Sequence, residues 1–149
     1  MDRKHPTEKI FVANAHPSLE VDGERLQSVA LLVLRKENRC HGRVNIILAT
    51  DADLRKMNDQ YLGRNHPTDV MAFSMGGDEH PGAEDEVVGE IYVSLDRAQQ
   101  QAREYKVTFI REVDRLVIHG LLHLCGYDHE REDEAGRMRE REDRFLEGV

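Results

Sequence analysis

Three histidines stand in the stretch His119-Gly120-Leu121-Leu122-His123-Leu124-Cys125-Gly126-Tyr127-Asp128-His129. His119 and His123 are four residues apart, so on a helix they face the same way, about 6 Å apart along the axis, and both imidazoles can reach one metal ion. Gly126 falls just past the helical pattern, where a left-handed residue stops a helix and turns the chain. That turn would bring His129 back as a third nitrogen ligand. Three imidazoles leave one tetrahedral position open for water or substrate, which marks a catalytic zinc, one per chain. An ion held by three neutral ligands keeps its full double positive charge. It would either acidify a water near neutral pH or take a non-bridging phosphate oxygen and stabilise charge in a phosphoryl transition state.

The spacing is that of the metzincin proteases, H-E-x-x-H-x-x-G-x-x-H, except that Gly120 occupies the place of the general-base glutamate. The metal ligands are kept and the base is lost, which argues against ordinary peptide hydrolysis. The same eleven residues resemble the H-G-x-L-H-L-x-G-Y-D-H signature of the YbeY family of bacterial endoribonucleases. A second block, residues 58–73 (NDQYLGRNHPTDVMAF), is similar to that family's N-x-x-Y-R-x-x-x-x-P-T-D-V-L-S-F, and Gly89-Glu90-Ile91 stands where the family has a Gly-Asp-Ile/Leu strand.

The resemblance implies a zinc-dependent endoribonuclease specific for single strands, acting in maturation of the 16S ribosomal RNA 3′ end. Single-stranded ribosomal RNA and the ribosomal small subunit would be its partners. It also implies a zincin-related architecture, with the metal at a helix C-terminus. One position departs from the family pattern. Leu62 follows the tyrosine where YbeY-like proteins carry an arginine. Arg64, two residues on, is the candidate guanidinium for gripping phosphate, against the alternative of a solvated loop arginine. Asp128 is the second catalytic candidate, able to orient a ligand imidazole or accept a proton, or else to close an Asx turn. Thr68 and Asp69 read as structural residues at a strand start. Two other functions remain beside the nuclease: a ribosome-associated assembly factor with a structural metal, and a metal-dependent peptide or amide hydrolase.

With 149 residues the chain is one domain's length, residues 1–149, and can bury about 70% of its extended surface. Charged residues make up 34% and aromatics 5%, so the core has to be aliphatic. No apolar run is long enough for a membrane span and no secretory leader is visible, which makes the expected location cytoplasmic. Cys40 and Cys125 are too few for a disulfide framework, and Cys125 points about 200° round the helix from His123, toward burial. No loop for a nucleotide cofactor is present. The net charge of −8 is unusual for an RNA-binding chain. Its acids gather in residues 77–86 and 130–147, while Arg35, Lys36, Arg39, His41 and Arg43 form a local basic run. That run is either an RNA-facing patch or a set of cations at a helix end.

The elements that must hold these groups follow from periodicity. Ile10-Phe11-Val12 predicts a strand. A helix capped by Asp22 buries Leu26, Val29, Ala30 and Val33. Alternation through Val44, Ile46 and Leu48 predicts a strand, and Thr50 caps a short helix with Leu54, Met57 and Tyr61 on its core side. Residues 69–75 and 87–94 read as an antiparallel pair joined by the acidic loop 76–86. A polar helix spans 95–105. The next, from Thr108, puts Phe109, Val113, Leu116, Val117, Gly120, Leu121 and Leu124 on one face with His119 and His123 at its edge. A last charged helix, 130–146, carries Ala135, Met138, Arg141 and Phe145 on one side. The order β-α-β-α-β-β-α-α-α predicts an α+β fold: a four-stranded, mainly mixed sheet packed with about five helices.

Overall fold

A computed structural model of the chain describes residues 8–37, 42–63, 68–75, 87–127 and 132–149. Their elements run β1 (Glu8–Asn14), α1 (Gly23–Glu37), β2 (Gly42–Ala49), α2 (Asp51–Leu62), β3 (Val70–Ser74), β4 (Val87–Ser94), α3 (Leu95–Tyr105), α4 (Phe109–Leu124) and α5 (Glu132–Glu147). The α+β reading holds, with five helices and one four-stranded mixed sheet among the described residues. The acidic loop 76–86 and Cys40 lie outside them.

The sheet order is β1-β2-β4-β3. β1 pairs with β2 and β2 with β4 in parallel, while β3 runs antiparallel to β4 with Ala72 opposite Ile91 and Phe73 opposite Glu90. Alternation then assigns the two faces. Ile10, Val44, Ile46, Leu48, Ile91 and Val93 point into the main core with the apolar sides of α1 and α4. Ala49 and Met71, with Ile47, Phe73 and Tyr92 partly buried, face the opposite way and pack on Leu54 and Met57 of α2. Burial, then the hydrogen bond to Glu90, pushes the Tyr92 hydroxyl up to about 12.

Tyr61 corrects the expected core of α2. It is 65% exposed, because the inward side of this helix ends with Leu54 and Asn58, and its ring meets Phe73 edge-on at 6.1 Å over the edge strand. The start of α2 forms as its sequence predicts. Thr50 accepts from the Asp53 amide and Asp53 answers to the Thr50 amide, a reciprocal capping box.

The C-terminal ends of the three parallel strands are tied by one polar joint. Nδ1 of His16 accepts from the amides of Ser18 and Leu19, and its Nε2 donates to Asp96 Oδ1 at 2.9 Å. The other Asp96 oxygen accepts the Asp51 amide at 2.8 Å. The basic run is divided by the fold. Arg35 and Lys36 are exposed in the last turn of α1, whereas Arg43 lies over the Phe11 ring on the sheet face away from α4. Arg39 and His41 are outside the described residues.

Candidate metal centre

α4 is the helix on which the candidate site is built. Thr108 caps its start by accepting from the Arg111 amide at 3.1 Å. Val113, Leu116, Val117, Ile118, Leu121 and Leu122 are all at most 1% exposed. Each such side chain contributes about 1.5–3 kcal/mol by leaving water, so the helix is seated far more firmly than its length alone would allow. It touches α1, α3, α5, β3 and β4. Two glycines bring it close to the sheet: Gly120 lies on Ile91, and Gly89 of β4 receives the Leu124 side chain.

The end of α4 turns as Gly126 predicts. The Gly126 amide donates to His123 O at 3.0 Å and the Tyr127 amide to Leu122 O at 3.1 Å, with Gly126 at φ +102°. These are the paired bonds of a Schellman cap, which reverses the chain directly after the second histidine. Cys125 is buried at 5%, as its place on the helix requires.

His119 and His123 therefore stand one turn apart on a fixed helix, His119 with 27% of its side chain exposed and His123 on the surface. Nδ1 of His119 lies 2.5 Å from Oε2 of Glu142 on α5. With Nδ1 turned to that carboxylate, an ion at this ring would be bound through Nε2. Two imidazoles on one helical face, at the negative end of the helix dipole, suit a dication, so the donors present fit zinc. Among the described residues no three His, Cys, Asp or Glu groups converge on one point. The third expected ligand, His129, lies outside them, as do both catalytic candidates, Arg64 and Asp128, and the Leu62 side chain.

The residues 68–75 bring the second sequence block against α4. Thr68 Oγ1 reaches Val70 O at 3.4 Å and Asp69 O accepts the Ser94 amide at 2.9 Å, both structural roles at the strand start.

Sequence reasoning missed Arg115. It donates Nε and Nη2 to Glu112 at 2.9 and 2.6 Å, and Glu112, 1% exposed, also accepts from Gln101 of α3 at 2.6 Å. The hydrogen bond to Glu112 raises the Arg115 pKa against the pull of burial, helped by the charges of Glu112, Glu142 and Asp69. The missed signal is the spacing Arg115, His119, His123, three residues at successive steps of four along one helical face. A cleft of about 380 Å³ opens beside the first two, lined by Tyr105, Arg115, His119, Met138, Arg139, Glu142 and Asp143.

On α5 the residue before Glu142 makes a second brace. Arg141 donates Nε and Nη2 to Glu37 Oε2 at the end of α1, at 3.0 and 2.5 Å, and the Tyr127 hydroxyl donates to Glu37 Oε1 at 3.1 Å. The turn that leads to Asp128 and His129 is thus anchored from two helices.

Known proteins are similar to this chain in sequence and fold. The family model described as Endoribonuclease YbeY matches residues 11–149. The chain is 37% identical over 145 residues to Endoribonuclease YbeY of Salinibacter ruber, covering 95% of this chain and 92% of that protein. It is 36% identical over 141 residues to the protein of the same name from Carboxydothermus hydrogenoformans, covering 93% and 95%. The solution structure of a Thermotoga maritima protein superposes with a TM-score of 0.61 at 31% identity, covering 93% of this chain and 87% of that one. With the family model spanning nearly the whole sequence and the helix that carries its histidines in place, the chain belongs to the YbeY family of endoribonucleases.

Proposed function

We propose that residues 1–149 form one zinc-dependent endoribonuclease unit, specific for single-stranded RNA and acting on the small ribosomal subunit in maturation of the 16S 3′ end. The observation that carries the reading is the pair His119 and His123, one turn apart on a helix pinned to the sheet and ended by a cap at Gly126. His119, His123 and His129 would hold one zinc ion, which when bound supplies Lewis acidity for phosphodiester chemistry. Arg64 is proposed to grip a phosphate through its fork of donors, in place of the family arginine replaced by Leu62. Asp128 is proposed to orient a ligand ring or take a proton from the attacking group. The fold supports the nuclease against a peptidase, since residue 120 faces Ile91 across the helix–sheet contact and has no room for a glutamate.

The test is cleavage of a single-stranded RNA matching a small-subunit rRNA 3′ end by zinc-loaded wild type and by His123→Ala purified identically. Cutting by wild type alone is expected. Equal products from both would remove the nuclease reading. No cutting by either would favour an assembly factor with a structural metal.

A further inference from the structure

We infer that Glu142 is the positioning carboxylate of this metal centre, and that Glu112 and Arg115 leave it available for that task. The inference rests on the metal reading of His119 and His123. A neutral imidazole that gives one nitrogen to a metal keeps its proton on the other. A carboxylate accepting that proton fixes both the tautomer and the ring plane, so the lone pair is aimed before the ion arrives.

Glu142 has the required geometry. Its Oε2 lies 2.5 Å from His119 Nδ1, and the residue is 6% exposed in a helix whose other buried side chains, among the described residues, are Met138, Phe145 and Leu146. A carboxylate buried among such neighbours is costly unless it is partnered, and packing alone gives no reason to keep it there.

The surrounding charges explain why His119 receives it. Arg115 is the nearest described cation, and its Nη1 is 3.8 Å from Glu142 Oε1, beyond hydrogen-bond distance. The guanidinium fork is taken by Glu112, which Gln101 holds in turn. Without Glu112, Arg115 would be drawn to Glu142 and pull the carboxylate from the imidazole. The sequence of contacts runs from α3 through α4 to α5 and back to α4. It keeps a net negative charge behind His119, which favours a dication in front of it.

The experiment measures zinc affinity by chelator competition, and the His119 tautomer by imidazole nitrogen NMR of the metal-free chain. It compares wild type, Glu142→Ala, Glu142→Gln, Glu142→Asp and His119→Ala. Glu142→Ala is expected to weaken zinc binding by about 10- to 100-fold and to move the His119 proton from Nδ1 to Nε2. Glu142→Gln should lose less, because its amide oxygen still accepts from Nδ1. If the alanine variant does not fold, Glu142→Asp, which withdraws the carboxylate by one methylene, has to show the weaker binding. Unchanged affinity and tautomer in a folded Glu142 variant, with His119→Ala still weakened, would overturn the positioning role and leave the metal site standing. A wild-type chain that takes up no zinc, or an undiminished His119→Ala, would overturn both.

Discussion

Ile91 of β4 sits under Gly120 of α4, with its Cγ2 atom 2.9 Å from where a β-carbon on residue 120 would stand. Alanine there would gain about 1 kcal/mol of helix propensity but has to displace a fully buried, β-branched neighbour, and overpacking of that kind costs about 1–3 kcal/mol. Gly120→Ala is therefore expected to be less stable by about 1 kcal/mol in urea unfolding. Gly120→Glu should fall much further and gain no peptidase activity.

Gly126 turns the chain at φ +102°, a conformation that costs an L side chain roughly 1–2 kcal/mol. Gly126→Ala is expected to lower stability by about that amount. It should also weaken zinc binding, because the residues beyond the cap leave α4 in a new direction. Loss of stability with unchanged zinc affinity would show that the cap ends the helix without directing the third ligand.

Glu37 is 3% exposed at its side chain and accepts from both Arg141 and the Tyr127 hydroxyl. Glu37→Gln keeps the shape and removes the charge, leaving a partly exposed guanidinium with a neutral partner. The expected cost is about 1–2 kcal/mol in denaturant unfolding. Arg141→Ala measured beside it, and the double variant, should be less than additive if the brace acts as a unit.

Asp96 gives the fold a dependence on acid. Burial pushes its carboxyl up, but the hydrogen bonds from His16 and from the Asp51 amide outweigh burial and hold it below the ordinary aspartate range. A carboxylate whose pKa falls on folding adds stability above its unfolded pKa, about 3.9, and loses it as pH drops through the folded value. The Tm difference between wild type and Asp96→Asn should be full near pH 6 and shrink as pH falls below about 4. A constant difference across that range would mean that the joint works by shape and not by charge.

Much of this architecture is legible along the chain because the signals are local. The caps at Asp22 and Thr50 and the turn at Gly126 each depend on a few neighbouring residues, and they form as read. Tyr61 was legible only as apolar and in phase, and its exposure depends on where the inward side of α2 ends over β3. The strand order β1-β2-β4-β3 is set by contacts across long separations that no local pattern encodes. Glu142 escaped for a related reason. A charged residue on a charged helix reads as solvated until α5 is known to lie against α4.

His119 and Glu142 are 23 positions apart in sequence, and the imidazole meets its carboxylate only where α5 packs against α4. The ring is therefore restrained by the docking of a neighbouring helix and not by the helix that carries it. Whatever loosens α5 from α4 loosens the aim of that imidazole without touching a histidine.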